Sequence, residues 1–278
     1  MNYLLLFAGF LLLIKGADFF VDGSSNIAKV FKIPSIIIGI TLVAFGTSAP
    51  EAAVSITAGI KNSTDLSISN IIGSNIFNLL VVLGVTALFK DVIIEKEVVK
   101  KDYMFSIFSS ILLLTLIGIN FFLGNSLLLN RINGLILLIC LIIYLTKLIK
   151  GIDPEKKKEI EERKFKITDI FLIIIGLVSV IVGGQLTVKA ASNIARTFGF
   201  SERFIGLTIV AIGTSLPELC TSVVSLIKGE NDIALGNVIG SNIFNILFIL
   251  GASSLIRPIP VNIETLIDIS IMIIMSIS

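Results

Sequence analysis

Long apolar segments alternate with short polar stretches along most of this chain. Segments of this kind cover roughly 3–28, 33–60, 66–89, 103–123, 127–149, 167–196, 202–227 and 232–256, and another begins near Ile263. A helix needs about 20 residues to cross the hydrocarbon core of a bilayer. The pattern therefore predicts an all-α membrane protein with eight complete spans and a shorter final segment.

Composition agrees with this prediction. The chain is 55% hydrophobic and only 15% charged, which is less charge than a soluble domain carries. There is no His, which argues against a zinc or haem site and a resident cofactor. Cys140 and Cys220 stand inside apolar segments, in no recognisable disulfide or metal framework. The net charge of +2 is small and the basic residues cluster in loops, so the lipid bilayer, and not nucleic acid, is the expected partner.

One passage of sequence occurs twice, at an offset of 167 residues. Residues 39–84 and 206–251 align without a gap and are identical at 24 of 46 positions. Each copy contains Gly-Thr-Ser-x-Pro-Glu, which ends at Glu51 or Glu218, followed by Gly-Ser-Asn-Ile-Phe-Asn. A carboxylate at mid-membrane costs roughly 2.5–3.5 kcal/mol on insertion scales. Two such residues at equivalent positions of a repeat therefore predict an ion site.

The repeat also predicts the topology. Five spans separate each element from its copy, and because five is odd the second copy is inverted in the membrane. Inverted repeats are typical of secondary transporters, whose substrates bind near the midplane between the repeats. We expect a first repeat over 1–150, a short loop over 151–166 and a second repeat over 167–278. By symmetry the second repeat should contain further helices, so we expect the last helices to be truncated in this chain.

Loop charges predict the orientation. With the spans numbered alternately, fifteen Lys and Arg residues fall on one side of the membrane and five on the other. Cytoplasmic loops carry the excess of positive charge. The prediction is a multi-pass plasma-membrane protein with its N-terminus outside and the loop 151–166 in the cytoplasm.

The first repeated motif has the chemistry of a hard-cation site. Pro50 lacks a backbone donor and breaks or kinks its helix, which would free carbonyl groups around Ala44 to Gly46. Thr47 and Ser48 add hydroxyl oxygens, and Glu51 adds a carboxylate one turn beyond Thr47. The second copy supplies the equivalent residues Ala211, Thr214, Ser215 and Glu218. Carbonyl, hydroxyl and carboxylate oxygens suit Na⁺, Ca²⁺ or Mg²⁺.

The second motif adds amide and hydroxyl groups. Ser74 and Asn78 are four residues apart and share a helix face, as do Ser241 and Asn245. Two ionised carboxylates carry a charge of −2, which one Ca²⁺ or two Na⁺ would neutralise. Packing and interhelical hydrogen bonds would explain such polar residues in a single copy, but the duplicated glutamate favours an ion site.

The first span contains additional charges. Lys15, Asp18 and Asp22 could snorkel to an interface or pair with one another. The second repeat has Gln185 and Lys189 where the first has Asp18 and Asp22, so no symmetric site is expected there.

With both motifs duplicated in inverted halves, the chain resembles the sodium/calcium exchanger family, and most of all its compact prokaryotic members. The resemblance implies two inverted sets of five helices, ten in the complete fold. Helices two, three, seven and eight would enclose the ions, and helices one and six would slide across them. It also implies an ion-ligand set that comprises Glu51, Glu218, Thr47, Ser48, Thr214, Ser215, Ala44, Ala211, Ser74, Ser241, Asn78 and Asn245.

The function expected from this resemblance is Na⁺/Ca²⁺ antiport by alternating access, without enzymatic activity and with the monomer as the working unit. Potassium-dependent relatives carry an aspartate at the position of Asn245, so a K⁺ requirement is not expected. A same-fold exchanger of other ions (H⁺, another divalent or a K⁺-coupled one) is the near alternative. A cation channel is the alternative from another class, although a channel usually builds its filter from several subunits.

Overall fold

Helices make up nearly all of the computed structural model, which describes residues 1–61, 64–89, 98–122, 127–152, 160, 163–201 and 205–277. Six described helices are long and apolar enough to cross a membrane, and two bent pairs raise the number to as many as eight. The predicted all-α membrane fold is therefore confirmed. In chain order the helices are α1 (Asn2–Phe31), α2 (Ser35–Thr47), α3 (Ala49–Ile60), α4 (Asp65–Phe89), α5 (Met104–Phe122), α6 (Arg131–Lys150), α7 (Ile167–Thr197), α8 (Thr208–Thr214), α9 (Leu216–Ile227), α10 (Asn231–Ile256) and α11 (Ile263–Ile277).

A short antiparallel pairing joins two loops at one end of the bundle. Strand β1 (Leu128–Leu129) pairs with β2 (Ile259–Pro260). The sequence pattern placed residues 127–130 inside a span, but α6 begins at Arg131. The reason is local, because the Asn130 side chain caps the helix by accepting a hydrogen bond of 2.9 Å from the Asn133 amide.

Glycines spaced seven residues apart bring α1 and α7 into backbone contact. A Cβ atom at Gly16 would lie 2.7 Å from the Val180 amide nitrogen, and one at Gly23 would lie 2.9 Å from the Asp169 carbonyl oxygen. In membranes, small residues of this kind let helices approach closely and gain van der Waals contact. Contacts near residues 9, 16 and 23 meet partners near 183, 176 and 169, so the two long helices run antiparallel as one paired unit.

Helices of the two repeats are interrupted at equivalent places. The α2–α3 pair bends by 49° at Ser48, and the α8–α9 pair bends by 48° at Ser215. Widened π turns also recur at the 167-residue offset, as Gly39–Val43 with Gly206–Val210 and as Asn78–Val82 with Asn245–Leu250. Such turns disturb regular helical hydrogen bonding and are frequent at functional sites.

Packing around the two repeats is not symmetric. On one side, which we call the closed seam, α2 lies against the first half of α10, and a Cβ at Gly236 would lie 2.6 Å from the Ile36 carbonyl oxygen. We call the equivalent region, between α8 and the first half of α4, the open seam. Gly240 contacts Ile40 in the closed seam, whereas no described atom lies within 4 Å of a Cβ at its counterpart Gly73. The sequence repeats, but among the described residues only one of the two seams is closed.

The predicted cytoplasmic loop 151–166 falls largely outside the described residues. Of its described part, Arg163 pairs with Asp169 at 3.1 Å and also donates a hydrogen bond to Asn26. Asn26 in turn donates to Asp169 at 3.0 Å. The end of the loop is therefore tied to both α1 and α7.

Candidate ion-binding site

The two repeated glutamates lie at the first turns of the helices that follow the breaks. Pro50 and Pro217 occupy the first turns of α3 and α9, where a missing amide hydrogen costs little. Glu51 and Glu218 come directly after them and are both completely buried. The N-terminal turn of a helix carries partial positive charge, which favours a carboxylate there. Each broken helix thus places one carboxylate in the interior of the molecule.

Serines at the breaks cross between the repeats. Ser48 donates a hydrogen bond of 3.0 Å to Glu218, and Ser215 donates one of 3.2 Å to Glu51. Each carboxylate is therefore held by the copy to which it does not belong. The crossed contacts therefore bring both carboxylates to the boundary between the repeats. Sequence alone predicted both residues as ligands, and the structure brings all four side chains together.

The second motif reaches the same centre. Ser74 of α4 lies 3.4 Å from Glu51 and 3.1 Å from Ser215, and it accepts a hydrogen bond of 3.2 Å from Asn245. The Ser241 hydroxyl and the Thr47 hydroxyl both face Glu218. The predicted residues of α4 and α10 therefore line one centre together with Ser48, Glu51, Ser215 and Glu218.

Asparagine amides tie α4 to α10. Asn78 donates to the Asn242 side chain at 3.1 Å, and Asn245 donates to the Asn75 side chain at 2.9 Å. Asn75 also donates to the Asn242 carbonyl at 3.2 Å. These bonds use the amide NH₂ groups of Asn78 and Asn245. Their carbonyl oxygens consequently point elsewhere.

Five buried oxygens at this centre have no hydrogen-bond partner among the described residues, and one of them is the Ser241 hydroxyl. Buried polar atoms in native structures are nearly always paired, so a cluster of unpaired ones calls for an explanation. The other four are acceptors, and none can donate a proton when the carboxylates are ionised. They belong to Glu51 (Oε2), Glu218 (Oε2), Asn78 (Oδ1) and Asn245 (Oδ1). A cation is the kind of partner that satisfies several acceptors at once.

The two backbone carbonyls predicted as ligands differ in their surroundings. The Ala44 carbonyl is buried and accepts a helical bond of 3.0 Å from the Ser48 amide, so Pro50 does not free it. The carbonyl that loses its helical donor to proline is that of Gly46, four residues earlier. Ala211 is exposed, and its carbonyl accepts a side-chain bond of 3.2 Å from Thr214. The expectation of a freed Ala44 carbonyl is therefore wrong.

Sequence reasoning missed the residues that support this centre. Asn237 is fully buried and bonds to Thr47, to Ser222 and to the Glu218 carbonyl. Its counterpart Asn70 bonds to Ser55, the counterpart of Ser222. All four residues are identical in the two copies, so the internal repeat itself contained the signal that would have found them.

The charges of the first span lie apart from the site. Lys15 is 3.9 Å from Asp18, so some pairing within the span does occur. The main partner is Lys228, which contacts Asp18 at 2.5 Å and Asp22 at 2.7 Å. That residue follows α9 and was not predicted as a partner, because it is more than 200 residues away in sequence.

A multi-pass helical fold with paired broken helices and a buried oxygen cluster defines a class of membrane carrier for hard cations. The family model described as sodium/calcium exchanger protein matches residues 1–150 and 168–278. This chain belongs to the sodium/calcium exchanger family, whose members are cation antiporters and not catalytic enzymes.

Individual relatives support this assignment. The putative antiporter CaxA of Alkalimonas amylolytica is 42% identical over 257 residues, which cover 90% of this chain and 79% of the relative. The sodium/calcium exchanger MaX1 of Methanosarcina acetivorans is 32% identical, over 94% of this chain and 84% of its own. A solved structure of the sodium-calcium exchanger NCX_Mj superposes with a TM-score of 0.86 at 35% identity and covers 99% of this chain. This chain covers 88% of NCX_Mj, so it is shorter than the complete fold.

Proposed function

We propose that this protein exchanges Na⁺ for Ca²⁺ across the plasma membrane and that the buried oxygen cluster is its ion-binding site. The observation that carries the proposal is the set of four unpaired acceptor oxygens from both glutamates and from Asn78 and Asn245. Ca²⁺ takes six to eight oxygen ligands, including carboxylates and amide carbonyls. The hydroxyls of Ser74, Thr47 and their neighbours would complete such a shell.

Charge supports exchange of these two cargoes. With both carboxylates ionised, the cluster carries −2, because its remaining ligands are neutral. One Ca²⁺ or two Na⁺ would neutralise it, and neutral hydroxyl and amide oxygens could hold a further Na⁺. Two buried like charges without a counter-ion repel each other, which disfavours an empty site. A site that either cargo fills and that is costly to empty suits an exchanger.

Asparagine at both symmetric positions bears on the choice of ions. Asn78 and Asn245 contribute amide oxygens in place of a third carboxylate, so the site lacks the additional negative charge expected for a simultaneous K⁺. We therefore assign Na⁺ and Ca²⁺ without a potassium requirement. Exchange of other ions by the same fold is the alternative that the transport assay below distinguishes.

The one-sided packing supports alternating access. Ala44 is completely buried next to the closed seam, whereas its counterpart Ala211 is exposed. The predicted orientation places the closed seam toward the cytoplasm, so the structure corresponds to an outward-facing state. Exchange of roles between the inverted repeats would close the other side. Both halves of the site belong to one chain, so we propose that a monomer suffices for transport.

The test is ⁴⁵Ca²⁺ uptake into proteoliposomes of this chain under an imposed Na⁺ gradient. Outwardly directed Na⁺ should drive uptake, and Glu51→Gln should reduce it by at least about a hundredfold, since breaking a buried charged site typically costs several kcal/mol. Glu264→Gln is the matched control, because it makes the same chemical change at an exposed residue of α11 that lies outside the site.

Each outcome has a distinct meaning. Uptake that does not depend on the Na⁺ gradient would point to a channel or to other coupling ions. Gradient-driven uptake that survives Glu51→Gln would refute the assignment of the site and leave the transport function intact.

A further inference from the structure

We propose that Asn237 and Asn70 are positioning residues, an inference that rests on the proposed function. Each would form a hydrogen bond to the ligand threonine of the opposite repeat, one in each state of the transport cycle. Asn237 holds Thr47 while the closed seam is closed. When the repeats exchange roles, Asn70 takes hold of Thr214 and Asn237 releases Thr47. Neither asparagine is one of the proposed ion ligands.

The contacts of Asn237 support the first half of the proposal. Its side chain is fully buried in α10 and accepts a hydrogen bond of 2.9 Å from the Thr47 hydroxyl. It donates to the Glu218 carbonyl at 3.2 Å and to the Ser222 hydroxyl at 2.9 Å. The amide thus connects α10 with both broken helices.

These bonds have a direct effect on the ligands. Because the Thr47 hydroxyl gives its hydrogen to Asn237, the lone pairs of its oxygen remain available to a cation. The carbonyl that Asn237 binds is that of Glu218 itself, in the first turn of α9, so the same amide also fixes the helical turn that carries this carboxylate. Asn237 therefore orients one hydroxyl ligand and one carboxylate ligand of the site.

The contacts of Asn70 support the second half. Asn70 donates to Ser55 at 3.1 Å, which repeats the bond between Asn237 and Ser222. Within the described residues it makes no bond to Thr214. The Thr214 hydroxyl donates to the Ala211 carbonyl at 3.2 Å, as the Thr47 hydroxyl does to the Ala44 carbonyl at 3.3 Å. Asn70 is only half-buried, whereas Asn237 is completely buried.

Residue identity does not explain this difference. The threonine, serine and asparagine involved are the same in both repeats, and so is their spacing. Two bonds of Asn237 have no equivalent at Asn70 among the described residues, namely the one to the Glu218 carbonyl within its own repeat and the one to Thr47 of the other repeat. The bond between the repeats is present on the side where α2 packs against α10. The bond therefore follows the closure of the seam, and the inverted repeat predicts its equivalent in the opposite state.

A thiol at Ser69 reports which side is closed. Ser69 is exposed in α4, and its counterpart Gly236 packs against Gly39 in the closed seam. Ser69→Cys in a Cys140→Ser, Cys220→Ser background should therefore react with a membrane-impermeant maleimide in this state and be protected when the open seam closes. Labelling in ion-free buffer measures this equilibrium without any transport, so the result stands even if the proposed cargo is wrong.

Only one of the two asparagine variants should slow labelling. Asn237→Ala removes a bond of the observed state and should slow labelling, because the loss of one buried hydrogen bond shifts the equilibrium toward the protected state by about fivefold or more. Asn70→Ala removes a bond of the opposite state and should hold labelling at or above the parent rate. Shifts in the same direction, or no shift from Asn237→Ala, would overturn the proposal.

A double-mutant cycle covers the case in which Asn237→Ala folds poorly. Thr47→Val removes the donor from the other side of the same bond. Thr47→Val should slow labelling in the parent and have little further effect in Asn237→Ala, since both changes remove one bond. Additive effects of the two substitutions would show that the residues act separately and would contradict the proposal.

A different observation carries a second inference, again within the proposed transport cycle. We infer that Lys228, Asp18 and Asp22 form a charge latch that favours the observed state. Lys228 contacts Asp18 at 2.5 Å and Asp22 at 2.7 Å, and it also donates to the Asp18 carbonyl at 3.1 Å. Close by, Ser25 donates a bond of 2.5 Å to Glu230. The end of α9 and the turn after it are thus fastened to α1.

The counterparts of these residues have the wrong charges for an equivalent latch. Lys228 corresponds to Lys61, and Asp18 and Asp22 correspond to Gln185 and Lys189. Exchange of roles would therefore bring Lys61 toward Lys189, two like charges, in place of a lysine between two aspartates. The charges attract in the observed state and repel in the opposite one.

The same maleimide assay tests the latch. Lys228→Gln should slow Ser69→Cys labelling a few-fold, because partly exposed ion pairs contribute modestly. Lys189→Asp, which supplies Lys61 with an opposite charge, should slow it as well. Lys147→Gln on the exposed face of α6 is the control and should match the parent. Unchanged or faster labelling in Lys228→Gln would refute the latch.

Discussion

At the scale of single residues, the site depends on which atoms of each side chain are already engaged. Asn78 and Asn245 use their NH₂ groups on neighbouring asparagines and leave their carbonyl oxygens unpaired. Ser48 and Ser215 each hold one oxygen of a glutamate and leave the other unpaired. The hydrogen-bond donors of the protein are thus turned toward its own acceptors, and acceptor oxygens remain for cations.

Ser74 offers a prediction at this scale. Its hydroxyl contacts Glu51 and Ser215 and accepts the Asn245 amide, so Ser74→Ala removes a ligand oxygen and leaves a buried donor unpaired. We expect a loss of about 1–3 kcal/mol in ion binding, or roughly five- to a hundredfold in apparent affinity for Na⁺.

The measurement is the Na⁺ concentration that half-maximally inhibits ⁴⁵Ca²⁺ uptake. Ser67→Ala is the control, since Ser67 is equally buried in α4 but its hydroxyl has no hydrogen-bond partner among the described residues. Equal effects of the two substitutions would contradict a ligand role for Ser74.

At the scale of helices, interrupted helices and regular helices have different roles. Proline breaks and π turns open the helices that carry the ligands, and they recur at equivalent positions of the repeats. The α1–α7 pair is unbroken and is held by glycines at seven-residue intervals. Irregular helices therefore form the site, and regular ones form the paired unit beside it.

Gly16→Ala tests the contact between these two helices. A Cβ there would lie 2.7 Å from the Val180 amide nitrogen, a backbone atom that cannot rotate away. We expect overpacking of about 1–3 kcal/mol and a lower melting temperature in detergent. Gly118→Ala is the matched control, because no described atom lies within 4 Å of a Cβ at that position. Similar melting temperatures for the two variants would show that α1 and α7 can separate easily.

At the scale of the whole molecule, the two repeats share a sequence but not a conformation. The closed seam contains the buried Ala44 and the bond between Thr47 and Asn237, and the open seam leaves Ala211 exposed. An inverted pair of halves with related sequences and equivalent helix breaks has two such arrangements of comparable energy. A few contacts that differ between the halves, among them the charges around Lys228, can decide which one is populated.

Orientation is a prediction at this scale. The excess of basic residues places the loop 151–166 in the cytoplasm and Arg131 outside. In intact cells, Arg131→Cys should react with a membrane-impermeant maleimide, and Lys156→Cys should react only after permeabilisation. Labelling of both variants is measured in the Cys140→Ser, Cys220→Ser background. The reverse pattern would invert the proposed outward-facing state while leaving the site unchanged.

The sequence by itself determined the helical membrane fold, the repeat and the residues brought to the centre. Bilayer thickness dictates the length of the apolar segments, and a carboxylate in lipid is too costly to occur twice by accident. Glu51 and Glu218 could therefore be found without coordinates. Asn70 and Asn237 occupy equivalent positions of the two copies and could have been found from the same alignment.

Only the tertiary structure decided which atoms remain unpaired and which side is closed. The repeated motifs predict equivalent surroundings, but the halves meet each other and α1 in different ways. Among the described residues, Asn237 therefore bonds to Thr47 while Asn70 makes no bond to Thr214. The partner of Asp18 and Asp22 was likewise hidden, since Lys228 is distant in sequence and is brought near only by packing of α1 on α9. Local patterns fix the residue types, whereas the energy of contacts between distant helices selects the conformation.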